Sequence, residues 1–330
     1  MSVRSKWESL PTEAINASTL DLDQRPSVAI VDAMLTEDRR MLSAVQREKD
    51  RIAAGVDIIA HALRNSGRII FVGAGTSGRL GVVEAAEMPP TFGTSPDLVR
   101  AIMAGGKGAI FTPKEGVDDD YEEGAKAMMR LKPTKKDVVV GVSASGMTQF
   151  VRGGLTKARR AGARIIFVTC DPRTELQSFV DLTIAPAVGP EVIAGSTRLK
   201  AGTATKLVLN MLTTGAMVRT GKTYGNLMVD VQTGSEKLRD RARRIIMMVA
   251  GLDHDDADRL LHRAHWNVKA AIVMHKGGLP YAKAMAMLRK SHHVVRDAIG
   301  EDLAPRLREV LDAAGHVHAP DMPPATSRSK

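Results

Sequence analysis

Between residues 68 and 185, five short apolar runs alternate with stretches of helical period. The runs are Arg68-Ile-Ile-Phe-Val72, Leu98-Val-Arg-Ala-Ile102, Asp137-Val-Val-Val-Gly141, Arg164-Ile-Ile-Phe-Val168 and Leu182-Thr-Ile-Ala185. An unbroken apolar run of this length reads as a strand covered on both faces, the habit of parallel sheets. The helical stretches between them are Arg79–Glu87, Glu123–Leu131, Gln149–Ala161 and Glu175–Phe179. This alternation predicts an α/β domain, a doubly wound five-stranded parallel sheet with helices on both faces. Two helices precede the sheet. One starts at Pro26 and repeats Val28, Val31 and Leu35; the other puts Val45, Ile52, Val56, Ile59 and Leu63 on one face.

After Gly225–Asp230 only helical period remains. Ser235–Met248 is amphipathic, Asp253 caps a short helix through Leu261, and His265–Val273 and Pro280–Leu288 follow. Arg296–Ala314 adds one or two more. The three short helices are similar to a ubiquitin-associated (UBA) bundle. The expected organisation is an N-terminal arm at 1–25, the α/β domain at 26–232 and a small C-terminal helical, UBA-like domain at 233–315. A proline-containing disordered tail occupies 316–330. Residues 1–10 are polar and expected to be mobile. Thr12 to Arg25 lacks periodicity and is expected to wrap over the domain or a neighbouring subunit.

The 330 residues are 44% hydrophobic and 25% charged, the balance of a folded globular protein. Aromatics are only 3%, so the core must be aliphatic and methionine-filled. No apolar run is long enough to span a bilayer, and Met1–Glu8 lacks the apolar core of a signal peptide. The lone cysteine, Cys170, fits a reducing compartment. A cytoplasmic location with no membrane partner is therefore expected. The net charge of +10 and pI of about 9.8 raise the question of nucleic acid. The charge is scattered, however, and base-stacking aromatics are scarce. The densest basic patch, Arg239–Arg244, is interrupted by Asp240. Nucleic acid is not the expected partner; attraction of an anionic small substrate is reason enough for the charge. His262 and His265 can share a face, and His292 and His293 diverge on a helix, but no cysteine or carboxylate set joins either pair. No metal site is expected.

The sharpest motif is Phe71-Val-Gly-Ala-Gly-Thr-Ser-Gly-Arg-Leu-Gly81, which takes the first strand into a helix through glycines and hydroxyls. Free amides and the positive end of the helix dipole make such a turn a phosphate cradle. Gly73-x-Gly75-x-x-Gly78 also fits a dinucleotide fingerprint, but that reading needs an acid ending the second strand. Here the second strand runs into Met103-Ala-Gly-Gly106, and Asp97 lies at its wrong end, so no nicotinamide cofactor is expected. A second turn of the same kind, Ser143-Ala-Ser-Gly-Met-Thr148, follows the third strand. One such turn is ordinary helix capping. Two at strand ends of one sheet point to a phosphate, with Thr76, Ser77, Ser143, Ser145 and Thr148 as ligands. A third stretch, Gly189 to Lys206, opens a long helix and gathers Arg198, Lys200 and Lys206 at its start. Cations there oppose the helix dipole, so either an anion or the Glu191 carboxylate is gathered with them, or the basic start is simply solvated.

Several stretches together resemble the sugar isomerase (SIS) fold and, within it, the N-acetylmuramic acid 6-phosphate etherases. They are Gly73–Gly81, Ala85-Ala-Glu-Met-Pro-Pro-Thr-Phe-Gly93, Ala104–Gly106, Ser145-Gly146, Gly195-Ser-Thr-Arg-Leu-Lys-Ala-Gly-Thr203, Lys206–Leu212 and Gly225–Asp230. The likeness runs from about Thr12 to about Leu288. The related glucokinase regulatory protein shares the fold and the cradle as a binder. The resemblance implies a lyase that cleaves the lactyl ether of N-acetylmuramic acid 6-phosphate, giving N-acetylglucosamine 6-phosphate and D-lactate, with no metal or organic cofactor. Its sugar opens to the aldehyde, a base removes the hydrogen on the neighbouring carbon, an acid protonates the departing ether oxygen, and water adds. It also implies that Gly75, Gly78, Arg79 and Gly146 help bind the substrate, that Arg198 and Lys200 serve its carboxylate or the catalytic loop, and that the chain forms a homodimer with each site near the interface.

Glu87 matches the family's acid. It lies beyond the first cradle beside Pro89-Pro90, where burial would raise its pKa. The family's base is a glutamate in the stretch equivalent to Lys114-Glu115-Gly116-Val117-Asp118-Asp119-Asp120, and ungapped its place is taken by Asp118, one methylene shorter. Asp118, Glu115 and Asp119 all stand as candidates, and the acidic cluster also reads as a solvated helix start. Met147 stands where the family commonly has arginine. An amino-sugar-phosphate isomerase and a non-catalytic sugar-phosphate regulator remain the alternative functions.

Overall fold

The computed structural model describes residues 10–313. Residues 1–9 of the polar N-terminus and the tail at 316–330 lie outside the described residues; Leu10, expected to be mobile with the N-terminus, is instead buried at 4% exposure. Contacts divide the chain into a unit ending at Thr220 and a second beginning at Gly221. The division comes before the 232/233 boundary expected from sequence, because Tyr224, Val229 and Val231 are buried in the second core.

The first unit runs α1 (Ser27–Arg47), α2 (Lys49–Arg64), β1 (Ile69–Gly73), α3 (Gly75–Phe92), β2 (Val99–Met103), α4 (Gly108–Phe111), α5 (Tyr121–Arg130), β3 (Val138–Val142), α6 (Gln149–Arg160), β4 (Arg164–Val168), β5 (Leu182–Ile184) and α7 (Lys200–Arg219). All five strands are parallel, in the order β2-β1-β3-β4-β5. Strand alternation sorts the apolar runs between two cores. Ile69, Phe71, Val138, Val140 and Ile166 face α1, α2, α3 and α7, with Met41, Ile59, Met88 and Leu212 opposite. Ile70, Val72, Val139, Ile165 and Phe167 face α5 and α6, with Met128, Phe150 and Leu155 opposite. Each fully buried aliphatic side chain contributes about 1.5–3 kcal/mol, so the sheet's central strands are the most heavily stabilised part of the unit. Burial pushes the Cys170 thiol up to about 12, which leaves it an unreactive core group.

Helix α3 starts earlier than the periodicity indicated and runs through Pro89 and Pro90. The prolines sit near its end, where Gly93 closes it in the left-handed region at φ 60°. The second unit contains α8 (Glu236–Ala250), α9 (His254–Arg263), α10 (Val268–Gly277), α11 (Tyr281–Lys290), α12 (Val295–Ile299) and α13 (Ala304–Ala313) around one aliphatic core. Asp253 caps α9 as its sequence position suggested, accepting from the Asp256 amide at 2.8 Å. No helix among the described residues is long and apolar enough to cross a membrane.

Candidate active site

The strand order reverses between β1 and β3, and open α/β sheets bind ligands beyond the carboxyl ends of the strands at such a point. Both hydroxyl-rich turns leave the sheet there. They share one cavity of about 330 Å³, lined by Gly75, Thr76 and Ser77 from the first turn and Ser143, Ser145 and Thr148 from the second.

The first turn is shaped by glycine. A Cβ at Gly73 would stand 2.7 Å from the Gly78 nitrogen, and one at Gly78 would stand 2.8 Å from the Gly73 oxygen. The helix can therefore begin directly against the strand end. Gly75 makes the turn at φ 52°, in the left-handed region. The Gly78 amide donates to the Ala74 carbonyl at 3.1 Å, and the amides before it have no partner within the helix. In the second turn Gly146 is also left-handed, at φ 74°, and its amide donates to the Ser143 carbonyl at 3.1 Å. The Ser143 and Thr148 hydroxyls are hydrogen-bonded to each other at 2.7 Å. Two helix N-termini and converging hydroxyls make a site for a phosphate oxyanion. Gly78 and Gly146 act on it by packing rather than by lining it.

The third wall is the segment before α5. Helices α5 and α6 cross so closely that a Cβ at Gly124 would stand 2.0 Å from the Phe150 oxygen, and one at Gly153 2.0 Å from the Tyr121 oxygen. This contact lays the acidic segment along the start of α6, where the Phe150 amide donates to the Asp118 carbonyl at 2.9 Å. Asp118 and Lys114 line the cavity; Glu115 and Asp119 do not. Asp120 is occupied as the cap of α5, accepting from the Glu123 amide at 2.9 Å.

Other expected site residues lie elsewhere. Arg79 turns away and caps α4, donating to the Ile110 and Ala109 carbonyls at 2.8 Å each. Lys200 is buried and pairs with Glu37 on α1 at 2.5 Å. Burial works to raise the Glu37 carboxyl, but the hydrogen bond and charge of Lys200 outweigh it and hold it below the usual range. Glu191 is the anion gathered at the start of α7. It accepts from the Lys200 and Ala201 amides at 3.2 and 2.9 Å, and burial pushes its carboxyl up. Arg198 is exposed, does not line the cavity, and forms no ion pair among the described residues.

Glu87 is exposed too, and the burial expected around it falls one turn earlier. Glu84, 3% exposed, accepts from the Thr213 hydroxyl at 2.6 Å and from the Asn210 amide. Burial pushes the Glu84 carboxyl up, against the Thr213 hydrogen bond and the charge of Lys206. Glu87 lies beyond Thr76 on the same helix by eleven residues, about 16 Å along the axis at about 1.5 Å each. It does not reach this chain's own cavity.

Sequence reasoning missed Leu10, Glu13, Thr197 and Thr205, which also line the cavity. Thr12-Glu13 carries no periodic signal, and Thr197 and Thr205 stand directly before the basic residues Arg198 and Lys206. A neighbouring cavity of about 420 Å³ shares Leu10 and Thr148 and extends along Arg152 and Thr174.

Residues 51–159 match the glucokinase regulatory protein N-terminal SIS domain family, and residues 117–215 match the SIS domain family. The chain is similar to the N-acetylmuramic acid 6-phosphate etherase of Clostridium botulinum (strain Langeland / NCTC 10281 / Type F), 46% identical over 294 residues, covering 89% of this chain and 97% of that one. The protein of the same name from Salinibacter ruber is 47% identical over 302 residues, covering 91% and 97%. That from Caldanaerobacter subterraneus subsp. tengcongensis is 44% identical over 292 residues, covering 88% and 95%.

Proposed function

The chain belongs to the N-acetylmuramic acid 6-phosphate etherase family, and we propose on that basis that it cleaves the D-lactyl ether of N-acetylmuramic acid 6-phosphate. It is a carbon–oxygen lyase whose products are N-acetylglucosamine 6-phosphate and D-lactate. The observation that carries the reading is a carboxylate, Asp118, in the same cavity as the hydroxyl cradle. Thr76, Ser77, Ser143, Ser145 and Thr148, with the free amides at the start of α3, hold the phosphate. Lys114 adds a positive charge beside it. With the phosphate fixed, a single hexose lies between cradle and reacting carbons. Asp118 takes the proton made acidic by the open-chain aldehyde. The electron pair left behind expels the ether oxygen, an acid protonates it, and water adds across the resulting double bond.

Glu87 is the acid, and it serves the site of a second copy of the chain. Its own cavity is out of reach, while exposed apolar side chains stand on the same helix and on α7, which packs against it. Val83 is 49% exposed one turn before it, and on α7 Met211 and Val218 are 39% and 47% exposed. A homodimer that covers this face brings Glu87 against the partner's cavity. A location in the cytoplasm and a role in recycling or scavenging wall sugar complete the reading. The deciding assay is D-lactate release from N-acetylmuramic acid 6-phosphate by the purified protein. Release that disappears in Asp118→Asn supports the etherase. Tight binding without release favours the regulator, to which the glucokinase regulatory domain match over 51–159 would then point.

A further inference from the structure

The cavity contains a second carboxylate, Glu13, beside Asp118. Glu13 belongs to the arm ahead of α1, in a stretch outside any helix or strand, yet it lines the same cavity as Thr76, Ser145 and Asp118. The arm is fastened there. The Gly195 amide donates to the Thr12 carbonyl at 3.2 Å, the Asn16 side-chain amide to the Pro190 carbonyl at 3.3 Å, and the Thr19 hydroxyl to the Val192 carbonyl at 3.0 Å. Thr12 and Thr19 are buried, at 1% and 8% exposure, on either side of the exposed Glu13. The loop makes room for the carboxylate. Gly195 sits at φ 76°, and a Cβ there would stand 2.9 Å from Glu13 Oε2. Anchored backbone around a solvent-facing acid holds that acid at the cavity wall.

An ionised carboxylate only accepts hydrogen bonds. It cannot serve the phosphate or the lactyl carboxylate, both anions. The donors that an amino-sugar phosphate offers are its hydroxyls and its acetamido N–H. We propose that Glu13 is a specificity-determining residue that accepts hydrogen bonds from the hydroxyl or amide donors of the sugar while the cradle holds its phosphate. This rests on the sugar-phosphate reading above. It makes the arm part of the substrate site and gives Glu13 opposite effects on two ligands. It favours a sugar phosphate and disfavours bare phosphate.

The test is calorimetric binding of N-acetylglucosamine 6-phosphate and of inorganic phosphate to the full chain, as wild type, Glu13→Gln and Glu13→Ala. In Glu13→Ala the sugar phosphate is expected to bind about tenfold or more weakly, the worth of a hydrogen bond to a charged acceptor. Inorganic phosphate is expected to bind equally well or more tightly, since a negative charge has left the cavity. Glu13→Gln keeps the side chain's size and one acceptor oxygen. It should fall between, and it gives the readout if Glu13→Ala loosens the arm and lowers Tm. Equal shifts for both ligands, or none, overturn the inference. So does loss of D-lactate release in Glu13→Gln with both ligands bound as in wild type, because Glu13 would then act in the chemistry. The expected shifts in the variants, together with wild-type protein that releases no lactate, remove the etherase reading and leave the role of Glu13 standing.

Discussion

If Glu87 works across a dimer, two inactive variants should repair each other. Eleven residues of α3 separate Thr76 from Glu87, about 16 Å along a straight helix, and a glutamate side chain covers only a fraction of that. Glu87→Gln and Asp118→Asn are each expected to lower kcat by about 10²–10⁴-fold, the usual cost of removing a general acid or base. Co-expression of the two variants, each with a different affinity tag, allows random pairing. About half of the dimers then contain one copy of each, and in each of those one site of two combines an intact Asp118 with an intact Glu87. The unfractionated mixture should recover about a quarter of wild-type D-lactate release, and dimers purified through both tags about half. If acid and base come from the same chain, every site in the mixed dimer has one defect. Doubly tagged dimers at the background of the single variants would refute the arrangement. Full activity in Glu87→Gln alone would remove Glu87 from the chemistry.

Three further outcomes follow from the packing and the charges. Asp118→Glu adds the methylene that the family's glutamate has, and it is expected to retain far more D-lactate release than Asp118→Asn, since it keeps a carboxylate in the cavity; equal loss in both would exclude Asp118 as the base. Gly153→Ala places a methyl group 2.0 Å from the Tyr121 oxygen. It should cost about 1–3 kcal/mol in denaturant unfolding and lower activity through displacement of Asp118, whereas an unchanged midpoint would show that the α5–α6 contact is loose. Asp137, 2% exposed, accepts from Arg68 at 2.8 Å and from the Thr134 amide at 2.9 Å. Burial works to raise its carboxyl, but the Arg68 fork and the amides hold it below the ordinary 3.8. A depressed carboxylate stabilises the fold above its unfolded value and ceases to do so as pH falls through its folded one. Asp137→Asn should therefore cost about 1–3 kcal/mol at pH 7, with Arg68 partly solvated, and thermal melts of variant and wild type should converge only below pH 3.8.

The sheet and both cradle turns were legible along the chain because each is a local matter. A strand buried on two faces must be apolar throughout, so Ile69–Gly73 and Val138–Val142 declare themselves. A turn that starts a helix against a strand end needs glycine and small hydroxyls wherever it occurs, so Gly73–Gly78 and Ser143–Thr148 were readable as turns that open onto one cavity. The tertiary structure decided what depends on distance between segments far apart in sequence. Three neighbouring acids were chemically equivalent until the glycine contact between α5 and α6 turned Asp118 alone into the cavity. Lys200 read as serving either the substrate carboxylate or the catalytic loop, and its pairing with Glu37, on α1, is visible only in the fold. Glu13 had no local pattern, because its position comes from hydrogen bonds to the 190–195 loop. Periodicity records which face of an element is buried. It carries no information about which distant side chain completes a site, since that contact is made only when the whole unit closes.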